Sequence, residues 1–386
     1  RMMLWRVRRT AASALFALAA AILSVVRRRA PIRILASDYW GTIGPLFTAL
    51  PESELVLYDR KEFAHISLSM IWKHRIRFLQ AEHISRAQRR RATAAHQALM
   101  GEWNSAKDAV KALGAPWKGA PLGAMLTGVV DDMVRYQAGQ VLEEVEAVYR
   151  FLERIRPEAV LLRTLFGQWH FALLAAVAKQ LGIPAIELQH GLENFAPGSL
   201  SRRHPVEYLG VYGTLIRDEM LPFGYTERQL PVIGSLRFDA RYGKVKRPEC
   251  PADEPLTFLC VAPDIFFSPV YDTYAACEYF AAVAAAVRPL RNAQVLIKLR
   301  PSAQHRSFFL GAIERAFEGI PHRIFQDEPL EDLCMQANAA IGCYSTATLE
   351  LLICSMPTVV LGVGGEADMV KCHFEKYAHE GALLVA

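Results

Sequence analysis

The sequence predicts an α/β protein made of two doubly wound parallel-sheet domains. Three observations predict it. Short apolar runs without strict alternation recur along the chain, such as "LTFLCVA" at 256–262 and "AQVLIKL" at 293–299, and read as strands buried on both faces. Helical stretches fall between them, so strand, helix and strand follow one another as in parallel crossover units. A charged segment with three prolines, "ARYGKVKRPECPADEP" at 240–255, interrupts this rhythm and reads as a linker. The length of 386 residues exceeds one ordinary core and suits two domains. The expected division is 1–30, 31–240 and 250–386.

Residues 10–26, "TAASALFALAAAILSVV", carry no charge and have arginine clusters on both sides. As a helix they would extend roughly 25 Å, short of the ~30 Å hydrocarbon core. A signal peptide, a short span, an interfacial helix and an ordinary buried helix all remain open. "RRRAP" is a poor cleavage site, and seven arginines without an acid in residues 1–29 suit anionic lipid. The expectation is a membrane-associating helix, with the protein peripheral at the cytoplasmic face. The chain begins with Arg1 and stops at "GALLVA" within an apparent strand, so a fragment of a longer protein is expected.

After this helix, Ile32–Ala36 is the expected first strand, followed by a turn carrying Gly41 and Gly44. Residues 53–58 give another strand. Residues 67–156 read as mostly helical; 141–155 is the clearest case, with Val141, Leu142, Val145, Val148, Leu152 and Ile155 on one face. "RRR" at 89–91 is either a solvated helix face or a lipid or polyanion contact. "EAVLLR" (158–163), "IPAIELQ" (183–189), "EYLGVYG" and "LPVIGS" are expected strands, with a helix closed by Gly182 between the first two. Beyond the linker, strands are expected at 256–262, 293–299, 322–325, 339–343 and 358–362. Helices are expected at 273–288, 305–318 and 346–355.

Composition narrows function. At 52% hydrophobic and 22% charged the chain is globular. Of the net charge of +5, residues 1–29 supply more than the whole, so the remainder is nearly neutral, which argues against a general nucleic-acid binder. The seven cysteines lie in the last third without a CxxC pair and read as buried, reduced thiols.

Three stretches carry candidate chemistry. "IELQHG" puts His190 and Gly191 at the carboxyl end of a parallel strand. An imidazole there can take a proton near neutral pH, and glycine admits a ligand close to the backbone; a structural histidine capping a turn is equally open. In "CYSTATLELLICSMP", Ser345 and Thr346 stand where a helix begins, an anion site suited to phosphate, or else a plain N-cap. Glu350 lies one turn on and could accept from ribose hydroxyls. In "LIKLRPS", Lys298 and Arg300 are two apart at a strand end and would point the same way, to bind a diphosphate or to form a surface ion pair. GxxxxGK[ST] and GxSxG are absent, as is a GxGxxG after the first strand, and no DxD pair offers a metal to a sugar nucleotide.

The chain resembles GT-B-fold glycosyltransferases of bacterial surface-polysaccharide assembly, including capsule and lipopolysaccharide transferases and CDP-glycerol glycerophosphotransferases. The resemblance is carried by "GIPAIELQHG" (182–191), "VYGTLIRDEMLPFGYTERQLPVIGSLRFD" (211–239), "LIKLRP" (296–301) and "YSTATLELLICSMPTVVLG" (344–362), and covers about residues 158–375. It implies two Rossmann-like domains facing a cleft. The C-terminal domain would hold a nucleotide donor through Lys298, Arg300, Tyr344, Ser345, Thr346 and Glu350. His190 would be the base, with Gly191, Arg163, Asp38 and Gly41 on the acceptor side. No cofactor is implied beyond the donor itself. Many members carry K-x-H-P where this chain has Lys298-Leu299-Arg300-Pro301, so the resemblance carries over neither a step using that histidine nor the same donor nucleotide. The activity implied is metal-independent transfer of a sugar or polyol phosphate to a membrane-associated glycan or glycolipid. A sugar-nucleotide 2-epimerase and a non-catalytic binding subunit are the rival expectations.

Overall fold

Strands covered on both faces need apolar side chains along their whole length, and the two sheets are built from such strands. A computed structural model describes residues 32–37, 40–50, 52–57, 77–78, 84–112, 122–162, 169–192, 205–242, 255–263, 273–301, 306–363 and 367–386. The chain packs as two compact units. One contains the described residues of 1–189 and 201–234, the other those of 190–200 and 235–386.

In the first unit, β1 (Ile32–Ser37), β2 (Ser53–Leu57), β3 (Arg77–Phe78), β4 (Ala159–Leu162), β5 (Ala185–Leu188) and β6 (Tyr208–Gly210) form a parallel sheet in the order β3-β2-β1-β4-β5-β6. Its helices are α1 (Trp40–Ala49), α2 (Arg86–Ala112), α3 (Leu122–Asp132), α4 (Ala138–Ile155), α5 (Trp169–Gln180) and α6 (Thr214–Met220). A π-helical turn, Met133–Gln137, joins α3 to α4. Helix α2 packs antiparallel to this long element. Trp103 Nε1 donates to Asp131 at 2.9 Å, His96 Nε2 meets the Val134 carbonyl at 2.7 Å, and Arg91 bridges to Glu146 at 2.7 Å. Gly139 lets the two backbones approach, since a Cβ there would lie 3.2 Å from the His96 ring.

In the second unit, α7 (Leu236–Tyr242) precedes β7 (Leu256–Val261), α8 (Thr273–Val287), β8 (Ala293–Lys298), α9 (Arg306–Ala316) and β9 (His322–Phe325). Then come α10 (Leu330–Cys334), β10 (Ala339–Gly342), α11 (Thr346–Ile353), β11 (Thr358–Val360), α12 (Ala367–His379) and β12 (Leu384–Val385). Its strands pair in parallel as β12-β11-β10-β7-β8-β9. Tyr279, Phe280, Phe309 and Phe317 fill the core beneath α8 and α9, with edge-on ring contacts at 5.7–6.5 Å.

Counted from its own first strand, each sheet has the order 3-2-1-4-5-6. In such a sheet the chain reverses direction between the first and fourth strands, and ligands bind outside the carboxyl ends there. These switch points are β1/β4 in the first sheet and β7/β10 in the second.

Several expectations need correction. Gly41 and Gly44 lie inside α1, not in a turn, because Ile43 and Phe47 bury one face of a helix that starts soon after β1. The expected strand at "LPVIGS" reduces to a single bridge, Val211 to Val232; Val232 and Ile233 are exposed and Pro231 has no amide to donate. The mostly helical stretch also holds β3, an edge strand. The first residues of the expected linker are helical, since Phe238 and Tyr242, four apart and both buried, make "LRFDARY" a helix, and that helix belongs to the second unit. The arginine-flanked segment 1–30 lies outside the described residues, among which no helix is long and apolar enough to cross a membrane.

Candidate functional site

The second sheet's switch point is held from below by one side chain. The Tyr279 hydroxyl lies 3.0 Å from the Val261 carbonyl at the end of β7 and 3.1 Å from the Ile341 carbonyl in β10. From β10 the chain passes through Cys343 and Tyr344 into α11. Thr348 Oγ1 donates to the Cys343 carbonyl at 2.7 Å, pinning the first turn of α11 to the strand exit. Gly342 is required beneath it, because a Cβ would lie 2.7 Å from that hydroxyl.

Ser345 is the N-cap, with extended backbone and its Oγ accepting from the Ala347 amide at 3.3 Å. Thr346 Oγ1 accepts from the Leu192 amide at 3.1 Å. Both hydroxyl oxygens therefore serve the protein as acceptors, and each hydroxyl keeps a proton to donate. At the end of β5, in the first unit, Gln189 ties this strand to β6. Its amide donates to the Gly210 carbonyl at 2.9 Å, and its Oε1 accepts from the Tyr212 amide at 2.7 Å. Gly191 then lies so close that a Cβ would fall 2.2 Å from Thr346 Oγ1. His190, half-buried, is the neighbouring residue.

Glu350 is 7% exposed, and its Oε2 accepts from the Tyr242 hydroxyl, a group 3% exposed on α7. Tyr344 stands against α12, its ring 5.2 Å from that of His373 and 6.2 Å from that of Phe374.

Lys298 and Arg300 do not share a direction. Strand β8 ends at Lys298, so the alternation that would align the pair stops there. The Lys298 ammonium is buried and donates to the carbonyls of Leu299 and Gln326, each at 2.7 Å, while Arg300 is exposed. Beside Lys298, loop amides from Gln326 to Glu328 hold the Glu328 carboxyl below the usual range, with the lysine charge adding to them.

Ser345, Thr346, Gly191 and His190 are thus brought together at the start of α11, with Glu350 one turn further on. Asp38 and Arg163 lie outside the described residues; Gly41 is in α1, after the β1 switch-point strand. Sequence reasoning missed Gln189, Tyr242 and Tyr279. A polar side chain directly after an apolar strand is the signal that marks the first; the other two have none. Among the described residues no group of three or more His, Cys, Asp or Glu side chains could hold a metal ion.

Neither the protein-family models nor the curated proteins gave a match. Solved structures did. The chain is similar to a putative UDP-N-acetylglucosamine 2-epimerase from Listeria monocytogenes, with TM-score 0.53 and 10% identity over 92% of this chain and 83% of that one. It is similar to the UDP-GlcNAc 2-epimerase of Methanocaldococcus jannaschii, with TM-score 0.50 and 12% identity over 92% and 88%. MurG of Acinetobacter baumannii aligns with TM-score 0.44 and 13% identity over 92% and 85%. The fold is GT-B-like. At these identities the likeness establishes the architecture of the GT-B-like chain, and chemistry has to be argued from its own residues.

Proposed function

We propose that this GT-B-like chain is a glycosyltransferase that moves a sugar or polyol phosphate from a nucleotide donor to a membrane-associated glycan or glycolipid. The observation that carries the proposal is the meeting of residues 190–192 with the first residue of α11, one turn from a buried carboxylate. A helix start, two hydroxyls and an exposed arginine suit the diphosphate of a nucleotide, and a carboxylate one turn further suits its ribose. An imidazole beside them suits the acceptor.

In this reading His190 takes the proton of the acceptor hydroxyl as the new bond forms at the donor's reacting carbon or phosphorus. The bond to the nucleotide phosphate breaks. The negative charge left there is met by Arg300, by the hydroxyls of Ser345 and Thr346 and by the α11 amides, with no metal required. Lys298 holds the chain leading to Arg300 through the Leu299 and Gln326 carbonyls it binds. Tyr344 borders the phosphate site, and Gly191, Gly41, Asp38 and Arg163 belong to the acceptor side.

Two surfaces support a membrane-bound acceptor. Residues 86–101 carry four exposed arginines, of which Arg89 and Arg91 pair with Glu143 and Glu146 and Arg86 and Arg90 add positive charge to the same helix. Along α3 and the π turn, Met125, Val129, Met133 and Tyr136 are all at least half exposed. These join residues 1–30 as candidate contacts with the inner face of a membrane.

The test is a thermal-shift screen against CMP, CDP, UDP, GDP and their sugars, followed by incubation of the stabilising donor with a membrane fraction. Label should pass to lipid or glycan and be lost in His190→Ala. Equal turnover after His190→Ala would remove the base assignment. The likeness to the two 2-epimerases favours a second reading, isomerisation of the nucleotide sugar itself. Conversion of the donor sugar without any acceptor would select it.

A further inference from the structure

We infer that Tyr242 is a positioning residue for the nucleotide: its hydroxyl fixes the Glu350 carboxylate for the two ribose hydroxyls. The inference rests on the proposed nucleotide site and adds to it a residue from outside the strand tips and helix starts that form that site.

The geometry is specific. Tyr242 is the last residue of α7 and Glu350 lies in the second turn of α11, 108 positions later in the chain. Both side chains are buried, at 3% and 7% exposure. Burying a carboxylate in an α-helix whose other buried residues include Thr348 and Leu351 is unfavourable unless hydrogen bonds offset the lost water. The Tyr242 phenol supplies one such hydrogen bond, to Oε2.

A ribose diol needs a carboxylate held in one rotation, because two neighbouring hydroxyls must meet it together. A glutamate has three rotatable bonds, so an unheld side chain would lose rotamer freedom on binding. The phenol removes that loss beforehand. Its own ring is held by Phe238 one turn earlier on α7, with the ring centroids 6.0 Å apart. Helix α7 is thereby fastened to α11 within the second unit.

The experiment compares dissociation constants for UDP, CDP and GDP with those for their 2′,3′-dideoxy analogues, in wild type, Tyr242→Phe, Glu350→Gln and the double variant. The ribose preference, the ratio of the two constants, is the readout. A merely structural role would lower melting temperature and weaken both ligands alike, leaving the ratio unmoved. The expected result is a wild-type ratio of about tenfold or more that falls several-fold in Tyr242→Phe and approaches one in Glu350→Gln, with the double variant equal to Glu350→Gln.

Phe238→Leu, which loosens the support of the ring and leaves the hydroxyl in place, should lower the ratio less than Tyr242→Phe does. Should Tyr242→Phe fail to fold, Tyr242→Met, which also lacks a donor and adapts to the vacated volume, is read the same way. A ratio that falls in Glu350→Gln but not in Tyr242→Phe overturns the role of Tyr242 and leaves the nucleotide site standing. A ratio unchanged in both variants, or no binding of any diphosphate to wild type, overturns the site and this inference together.

Discussion

Leu192 donates its backbone amide to Thr346 Oγ1 at 3.1 Å, joining residues 154 positions apart. The bond exists because the residue before Leu192 has no side chain. A Cβ on Gly191 would lie 2.2 Å from the threonine oxygen and 3.3 Å from its Cβ, so an alanine would displace either the loop or the first turn of α11. Gly191→Ala should cost about 1–3 kcal/mol, the usual penalty of overpacking. Removing the obstructing atoms in Gly191→Ala/Thr346→Ala should return part of that loss, so the two changes will not add. Denaturant unfolding of the two single variants and the double one measures this, and simple additivity would show that the loop and helix do not meet in this way.

Lys298 and Arg300 should separate cleanly by assay. Lys298→Met keeps the stem but leaves the Leu299 and Gln326 carbonyls without their donor, at a cost of about 1–3 kcal/mol. Arg300→Ala removes an exposed side chain and should change stability by less than about 0.5 kcal/mol. It should instead weaken nucleoside diphosphate binding by about tenfold and lower its salt dependence. If Arg300→Ala binds the diphosphate as wild type does, the arginine has no phosphate role.

Most strands of both sheets were legible because a strand covered on both faces has to be apolar throughout; the two-residue edge strand β3 was not. "LTFLCVA" and "AQVLIKL" differ from the observed β7 and β8 by one terminal residue each. The start of α11 was legible for a similar reason: Ser345 has the short oxygen side chain that an N-cap requires. What could not be read depends on direction and on distance along the chain. Two residues apart means the same side only while a strand lasts, and β8 stops between Lys298 and Arg300. The bond from Tyr242 to Glu350 has no local trace, since its donor lies in a stretch whose charge and nearby prolines resemble a linker. Gln189 stands beside a histidine that draws more notice, although its side chain accepts from the Tyr212 amide and so ties β5 to the end of β6.

The buried thiols should be inert in the folded chain. Burial pushes the Cys260 thiol up to about 12, with the nearby Tyr279 hydroxyl only partly opposing that rise. At pH 8 about one part in ten thousand would be thiolate, the form that reacts. Cys334, Cys343 and Cys354 are also buried, whereas Cys277 is only half-buried. Among these five, alkylation at pH 8 followed by peptide mass analysis should mark Cys277 first. The other four should react only when denaturant opens the second unit; Cys354 is protected through burial alone, since its hydrogen bond with Cys334 holds that thiol below the ordinary value. Fast labelling of Cys260 in native protein would contradict the packing around Tyr279.

Asp131 sets a pH dependence in the helical hairpin of the first unit. Hydrogen bonds from Arg135 first, then Trp103 and Lys107, hold its carboxyl well below the usual range. A carboxyl whose folded value lies below its unfolded one stabilises the fold at pH above the unfolded value of about 4, and that stabilisation fades as pH falls further. Asp131→Asn tests the charge, since the amide oxygen can still accept from the Trp103 indole while the attraction to Arg135 and Lys107 is lost. The variant should melt below wild type at pH 6–7, and the gap should narrow steadily below about pH 4. Because the carboxylate is partly solvated, salt should shrink the gap at neutral pH as well. A gap independent of pH between 3 and 7 would mean that the ionised carboxylate contributes nothing there and that the three donors are held by packing alone.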